Sequence, residues 1–154
     1  ETDSASRGNG KPREKKLKFS YKEQREWDTI EDDIAQLEKM NAAILGNPDA
    51  HPFYGAPVVC VVFADTNVNT WVEDGSLVIG NMMAAAHSLG LGSCWIHRAR
   101  QEFESAEGTA LMKKWGVSEN YAGIGHCILG YAAQEPASAK PRKADFIVRV
   151  DSNR

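Results

Sequence analysis

Residues 57–64, PVVCVVFA, are apolar almost without interruption. A short run of this kind, rich in valine, reads as a strand buried on both faces, and such a strand must be layered between other elements. The chain supplies candidates. WVEDGSLVIGNMMAAAHSLGLG begins with acidic residues, carries apolar residues at helical spacing and ends in glycines, which predicts a helix from about Glu73 to Leu89. SCWI, residues 93–96, reads as a short buried strand. QEFESAEGTALMKKW reads as a second amphipathic helix with Phe103, Leu111 and Met112 inward. GIGHCILGYAA is expected to be a long strand, and DFIVRV, residues 145–150, a final strand after a proline-rich loop. Strand, helix, strand, helix, strand argues for a layered mixture of helices and a central sheet, of the α/β or α+β type. No internal repeat appears.

The composition changes near residue 40, since half of the 18 basic residues and nearly half of the 21 acidic ones lie before it. Residues 1–16 combine Ser, Gly, Pro and charge with no apolar periodicity, so a disordered tail is expected there. Residues 17–40 read as a charged amphipathic helix. From Tyr21 to Leu45 the apolar positions Trp27, Ile30, Ile34, Leu37, Ile44 and Leu45 fall on one stripe, with Glu31, Asp32 and Asp33 on the other face. That stripe suits either one strand of a coiled-coil hairpin or a helix packed on its own domain. Residues 47–55, NPDAHPFYG, have loop composition.

A formal charge of -3 and a pI near 5.8 imply no global attraction to nucleic acid or to an anionic membrane. No run approaches the ~18 apolar residues that would cross a bilayer, and the first residues are charged where a signal peptide is apolar, so a cytoplasmic location is expected. Cys60, Cys94 and Cys127 sit singly in apolar runs, which predicts buried, reduced thiols. His51, His87, His97 and His126 show no metal-binding spacing, and no metal is expected. A chain that starts at Glu1 suggests a fragment or a processed product.

FYGAPVVCVVFAD, DGSLVIGNMMAAAHSLGLGSCWI, GIGHCILGY and KPRK, in that order, resemble the FMN-dependent nitroreductase family. The resemblance covers the carboxy-terminal half of such a protein, at residues 41 to about 150. It implies a partial nitroreductase-like α+β fold of the three-layer α/β sandwich type, with a central, mainly antiparallel sheet flanked by helices. It also implies FMN as cofactor, NAD(P)H as electron donor, nitroaromatics, quinones or similar small molecules as acceptors, and a homodimer whose interface includes the helix of Asn81, Met82 and Met83. In the family GLGSCWI lies along the flavin, so Gly90, Leu91, Gly92 and Ser93 become candidate flavin contacts. Glycine there lets backbone approach a planar ring, although a helix C-cap followed by a strand explains the same letters. Lys140 and Arg142 of KPRK become candidates for the FMN phosphate, to which cations bind through charge-assisted hydrogen bonds. No general acid or nucleophile stands out, as suits chemistry carried by a cofactor. His97, directly after SCWI, is a candidate for the substrate side.

Two departures from the family pattern stand beside this. The family's opening RxSxR motif, whose arginines hold the flavin phosphate and ribityl chain, has no match, and each lost contact removes roughly 1.5 to 3 kcal/mol. Weak or absent flavin binding in a truncated or chimeric form is therefore expected. Residues 11–38, meanwhile, resemble the lysine-rich linker and first helix of the carboxy-terminal extension of ABC-F ATPases. No phosphate-binding loop accompanies that segment, which excludes ATP hydrolysis by this chain. A flavin-free interaction module and an accessory segment binding nucleic acid are thus the alternatives to an active flavoenzyme.

Overall fold

The computed structural model describes residues 20–134 and 137–150, so the expected disordered tail at 1–16 lies outside the described residues. The chain divides into two compact units, Glu1–Leu37 and Glu38–Arg154.

Helix α1, Tyr21–Ile44, starts in the first unit. Ser20 and Glu23 form a capping box: the Ser20 N–H donates to Glu23 at 2.7 Å and the Glu23 N–H to the Ser20 hydroxyl at 3.4 Å. Trp27 donates to Glu31 one turn on, at 2.7 Å. The helix forms where its periodicity places it, yet Trp27 and Ile30 remain 44% and 53% exposed while Leu37 is buried. Periodicity fixes which residues share a stripe, and coverage depends on what packs there.

The second unit holds β1 Val58–Asp65, α2 Trp71–Ser88, β2 Gly92–Ile96, α3 Ala99–Phe103, α4 Ala106–Lys114 and β3 Tyr121–Gly130. The sheet order is β1-β3-β2, with both neighbours antiparallel to β3. This is an α+β fold with an antiparallel sheet. Among the described residues only β3 has two hydrogen-bonded neighbours, and Gly123 to Ile128 are buried accordingly. β1 corrects an expectation: among the described residues it is an edge strand, and it is mostly half-buried rather than fully buried. An apolar run reports side-chain preference and says nothing of whether a further strand pairs alongside.

Helices lie on both faces of the sheet. Val62, Ile79, Ile124 and Cys127 form the core beneath α2, with Trp71, Met82, Met83 and Trp95 packed against it. α2 comes so close at Gly75 that a Cβ there would collide with the Ile124 side chain. On the other face, Phe63 of β1 meets Phe103 of α3 at 4.7 Å between ring centroids, and Phe103 in turn faces His126 at 6.2 Å. A bulge between Val62 and Phe63 lets Ile124 join the α2 side.

Two further expectations are corrected. Residues 101–115 do not form one helix, because Ser105 adopts an extended backbone (φ -76°, ψ 162°) and caps α4, accepting from the Gly108 N–H at 3.0 Å. Phe103, Leu111 and Met112 are nonetheless buried, as their spacing requires. Residues 145–150 form no strand: Phe146, Ile147, Val148 and Val150 are 76–90% exposed. A strand is defined by a neighbour, and none pairs with this segment among the described residues.

Candidate functional site

The strand register brings the start of β1, the start of β2 and the end of β3 together, since Val58 pairs with Leu129 and Gly92 with Gly130. A cleft of about 440 Å³ opens at this end, lined by Tyr54, Gly55, Gly92, Ser93, Gly130 and Tyr131 among others. Two of the residues expected at the flavin, Gly92 and Ser93, therefore share a cleft wall. Gly92 sits tightly against the neighbouring strand, where a Cβ would stand 3.3 Å from the Gly130 carbonyl oxygen.

Gly90 and Leu91 belong to the end of α2. The Gly90 N–H donates to the His87 carbonyl at 3.1 Å and the Leu91 N–H to the Ala86 carbonyl at 2.9 Å, with Gly90 at φ 72°. This left-handed C-cap requires glycine by itself, with or without a ligand. Neither residue lines the cleft. Lys140 and Arg142 lie exposed in the segment after β3 and do not line it either.

At the opposite end of β3 a larger cavity, about 620 Å³, lies among α3, α4 and the residues up to Gly123, with Phe103, Met112 and Val117 as apolar lining and Arg100 and Lys113 as cations. None of the residues expected at a flavin or substrate lines it, although Phe103 and Met112, expected inward, do. The Arg100 guanidinium is engaged by Glu104 at 2.9 Å and stands 5.5 Å from the Trp71 ring centre. His97 is exposed beyond β2, its ring 6.5 Å from that of Trp95.

Sequence reasoning missed one polar pair. Glu102 and His126 are both fully buried, with Nε2 2.8 Å from Oε2 in an ion-pair contact whose alignment falls short of a hydrogen bond. The signal available was a histidine inside the apolar run GIGHCILG, where a buried imidazole needs an acceptor from another element. Burial, reinforced by Cys60 and Cys94 nearby, pushes the Cys127 pKa up, so this thiol stays protonated and inert. Among the described residues no group of three His, Cys, Asp or Glu could hold a metal ion. No helix among them is long and apolar enough to cross a membrane.

The first cleft offers a planar cofactor a wall that includes Gly92 and Ser93, while Lys140 and Arg142 stand outside its lining. Comparison with known proteins bears on the family. A nitroreductase of Bacteroides fragilis with bound FMN superposes with a TM-score of 0.68 at 27% identity, over 78% of this chain and 71% of that one. A nitroreductase of Desulfitobacterium hafniense with bound FMN shares the fold, with a TM-score of 0.65 at 24% identity over 77% of this chain and 70% of its own. A protein of Methanothermobacter thermautotrophicus named NADH dehydrogenase/NAD(P)H nitroreductase is 33% identical over 100 residues, 59% of this chain. The chain spans about half the length of that curated relative, 50%. The nitroreductase family pattern itself matches residues 7–131, so it also takes in the charged segment with the second resemblance. With most of its length inside that match, the chain belongs to the nitroreductase family.

Proposed function

We propose that this chain is the carboxy-terminal part of an FMN-dependent NAD(P)H oxidoreductase of nitroreductase type that reduces small acceptors such as nitroaromatics and quinones. The observation that carries the reading is the likeness, in fold and at 27% identity, to a nitroreductase with bound FMN. Gly92 and Ser93 would offer backbone to the flavin, with Gly90 and Leu91 just before them, and Lys140 and Arg142 would meet its phosphate. A bound flavin would accept hydride from NAD(P)H and pass electrons to the acceptor. The protein's part is to bind, orient and shield.

A homodimer fits this reading. Leu77, Asn81, Ala84 and Ala85 are exposed on α2, and so are Phe146, Ile147, Val148 and Val150, which pair with no strand among the described residues. The test is a titration of the purified chain with FMN, followed by flavin fluorescence, with NADH and NADPH oxidation assayed on the same sample. Saturable binding with turnover is expected, and Lys140→Ala and Arg142→Ala should each weaken FMN by roughly tenfold. A folded chain with no binding at high micromolar FMN would favour the second reading, a flavin-free interaction module.

A further inference from the structure

Cys60 of β1 stands directly opposite Cys127 of β3 in the antiparallel register. Directly opposed residues point to the same face of a sheet, and both cysteines belong to the apolar layer beneath α2: Cys127 is part of its buried core and Cys60 packs against that core. Opposed antiparallel residues hold their Cα atoms about 4.5–5.5 Å apart, which falls inside the ~4.4–6.8 Å range of disulfide-bonded cysteines. An S–S bond can therefore close here by side-chain rotation, with the strands where they stand. Both thiols are free. The third provides a contrast. Cys94, expected buried, is exposed instead, and it stands opposite Ile128, so it points to the other face of the sheet.

We propose that Cys60 and Cys127 are a peroxide-sensitive thiol pair, in which a hydroperoxide oxidises Cys60 and Cys127 closes the product to a disulfide. Exposure sets the order. Cys60 is half-buried and within reach of a small oxidant, whereas Cys127 is fully buried and held protonated, so reagents in solution do not reach it. The Cys60 sulfur attacks hydrogen peroxide; an S–O bond forms, the O–O bond breaks, and one oxygen leaves as water. The Cys127 sulfur then attacks the Cys60 sulfenic acid; the S–S bond forms, the S–O bond breaks, and the hydroxyl leaves with the Cys127 proton as a second water. Two thiols are oxidised by two electrons in all, and one peroxide is reduced to two waters. A sulfur held beside its target by two paired strands offsets the poor reactivity of a buried thiol. The bond would tie β1 to the central strand, and it forms independently of flavin binding.

The full chain carrying Cys94→Ser would be treated with millimolar hydrogen peroxide, and its intact mass and titratable thiols measured in denaturant before and after dithiothreitol. Loss of two hydrogens and of both thiols is expected, with a Cys60–Cys127 peptide pair in the non-reducing digest and full reversal by dithiothreitol. The oxidised chain should melt roughly 10 °C higher, since the bond closes a long loop. Adding Cys127→Ala should stop the reaction at a sulfenic acid on Cys60 that dimedone captures. Adding Cys60→Ala should leave Cys127 unmodified while the chain is folded. Oxygen gained at Cys60 with the Cys127 thiol retained would overturn the proposal, as would a disulfide formed only between two copies, or no reaction in the folded chain where the urea-unfolded chain reacts. FMN binding measured on the reduced sample leaves the flavoenzyme reading to be judged separately.

Discussion

Glu102 and His126 have no exposed surface, and the His126 Nδ1 and Glu102 Oε1 atoms have no hydrogen-bond partner. Removing one member of such a pair strands the other in a poor solvent. His126→Leu is therefore expected to destabilise the chain by about 3 kcal/mol in urea unfolding, and adding Glu102→Leu should recover much of it. Asp65 is a surface counterpart. The backbone N–H of Asn67, then the side chains of Asn120 and Asn67, hold its pKa below the usual 3.8. A depressed carboxylate contributes stability above its unfolded pKa and loses it as pH falls through the folded value. The melting-temperature gap between the parent and Asp65→Ala should thus be present at neutral pH and shrink below pH 3.8. At this scale the buried histidine was legible in the sequence as a polar letter in an apolar strand. Its partner was not, because Glu102 comes from another element and reaches His126 only through packing of α3 on β3.

The break between α3 and α4 turns on one hydroxyl. Ser105 accepts from the Gly108 N–H and donates to the Glu102 carbonyl at 2.6 Å, closing one helix and opening the next. Ser105→Ala should lose about 1 kcal/mol in thermal or urea unfolding, the usual size for an N-cap. Helix periodicity across residues 101–115 correctly put Phe103, Leu111 and Met112 inward but carried no mark of the break. The α2 boundaries, by contrast, were legible almost to the residue. Acidic Glu73 and Asp74 mark its first turn and Gly90 its left-handed cap, and both signals are local chemistry. At Gly90 the cap accounts for the glycine whether or not a flavin lies beside it.

Across the whole molecule, apolar surface is left open at α2 and at residues 146–150. If both take part in a homodimer, Leu77→Glu and Ile147→Asp should each shift sedimentation from dimer to monomer without loss of helicity; a monomeric parent chain would refute the assignment. The sequence by itself determined where α1, α2 and the three paired strands run, that Phe103, Leu111 and Met112 turn inward, and, through motif blocks in order, the family. These depend on local propensity, periodicity and chain order. Only the tertiary structure decided that β3 is central and β1 an edge, that Glu102 meets His126, that residues 145–150 stay unpaired, and that Gly92 and Ser93 share a cleft with Tyr54 and Tyr131. Each of those rests on contacts between segments far apart in the chain, where a strand's neighbour or a side chain's partner is set by how layers pack.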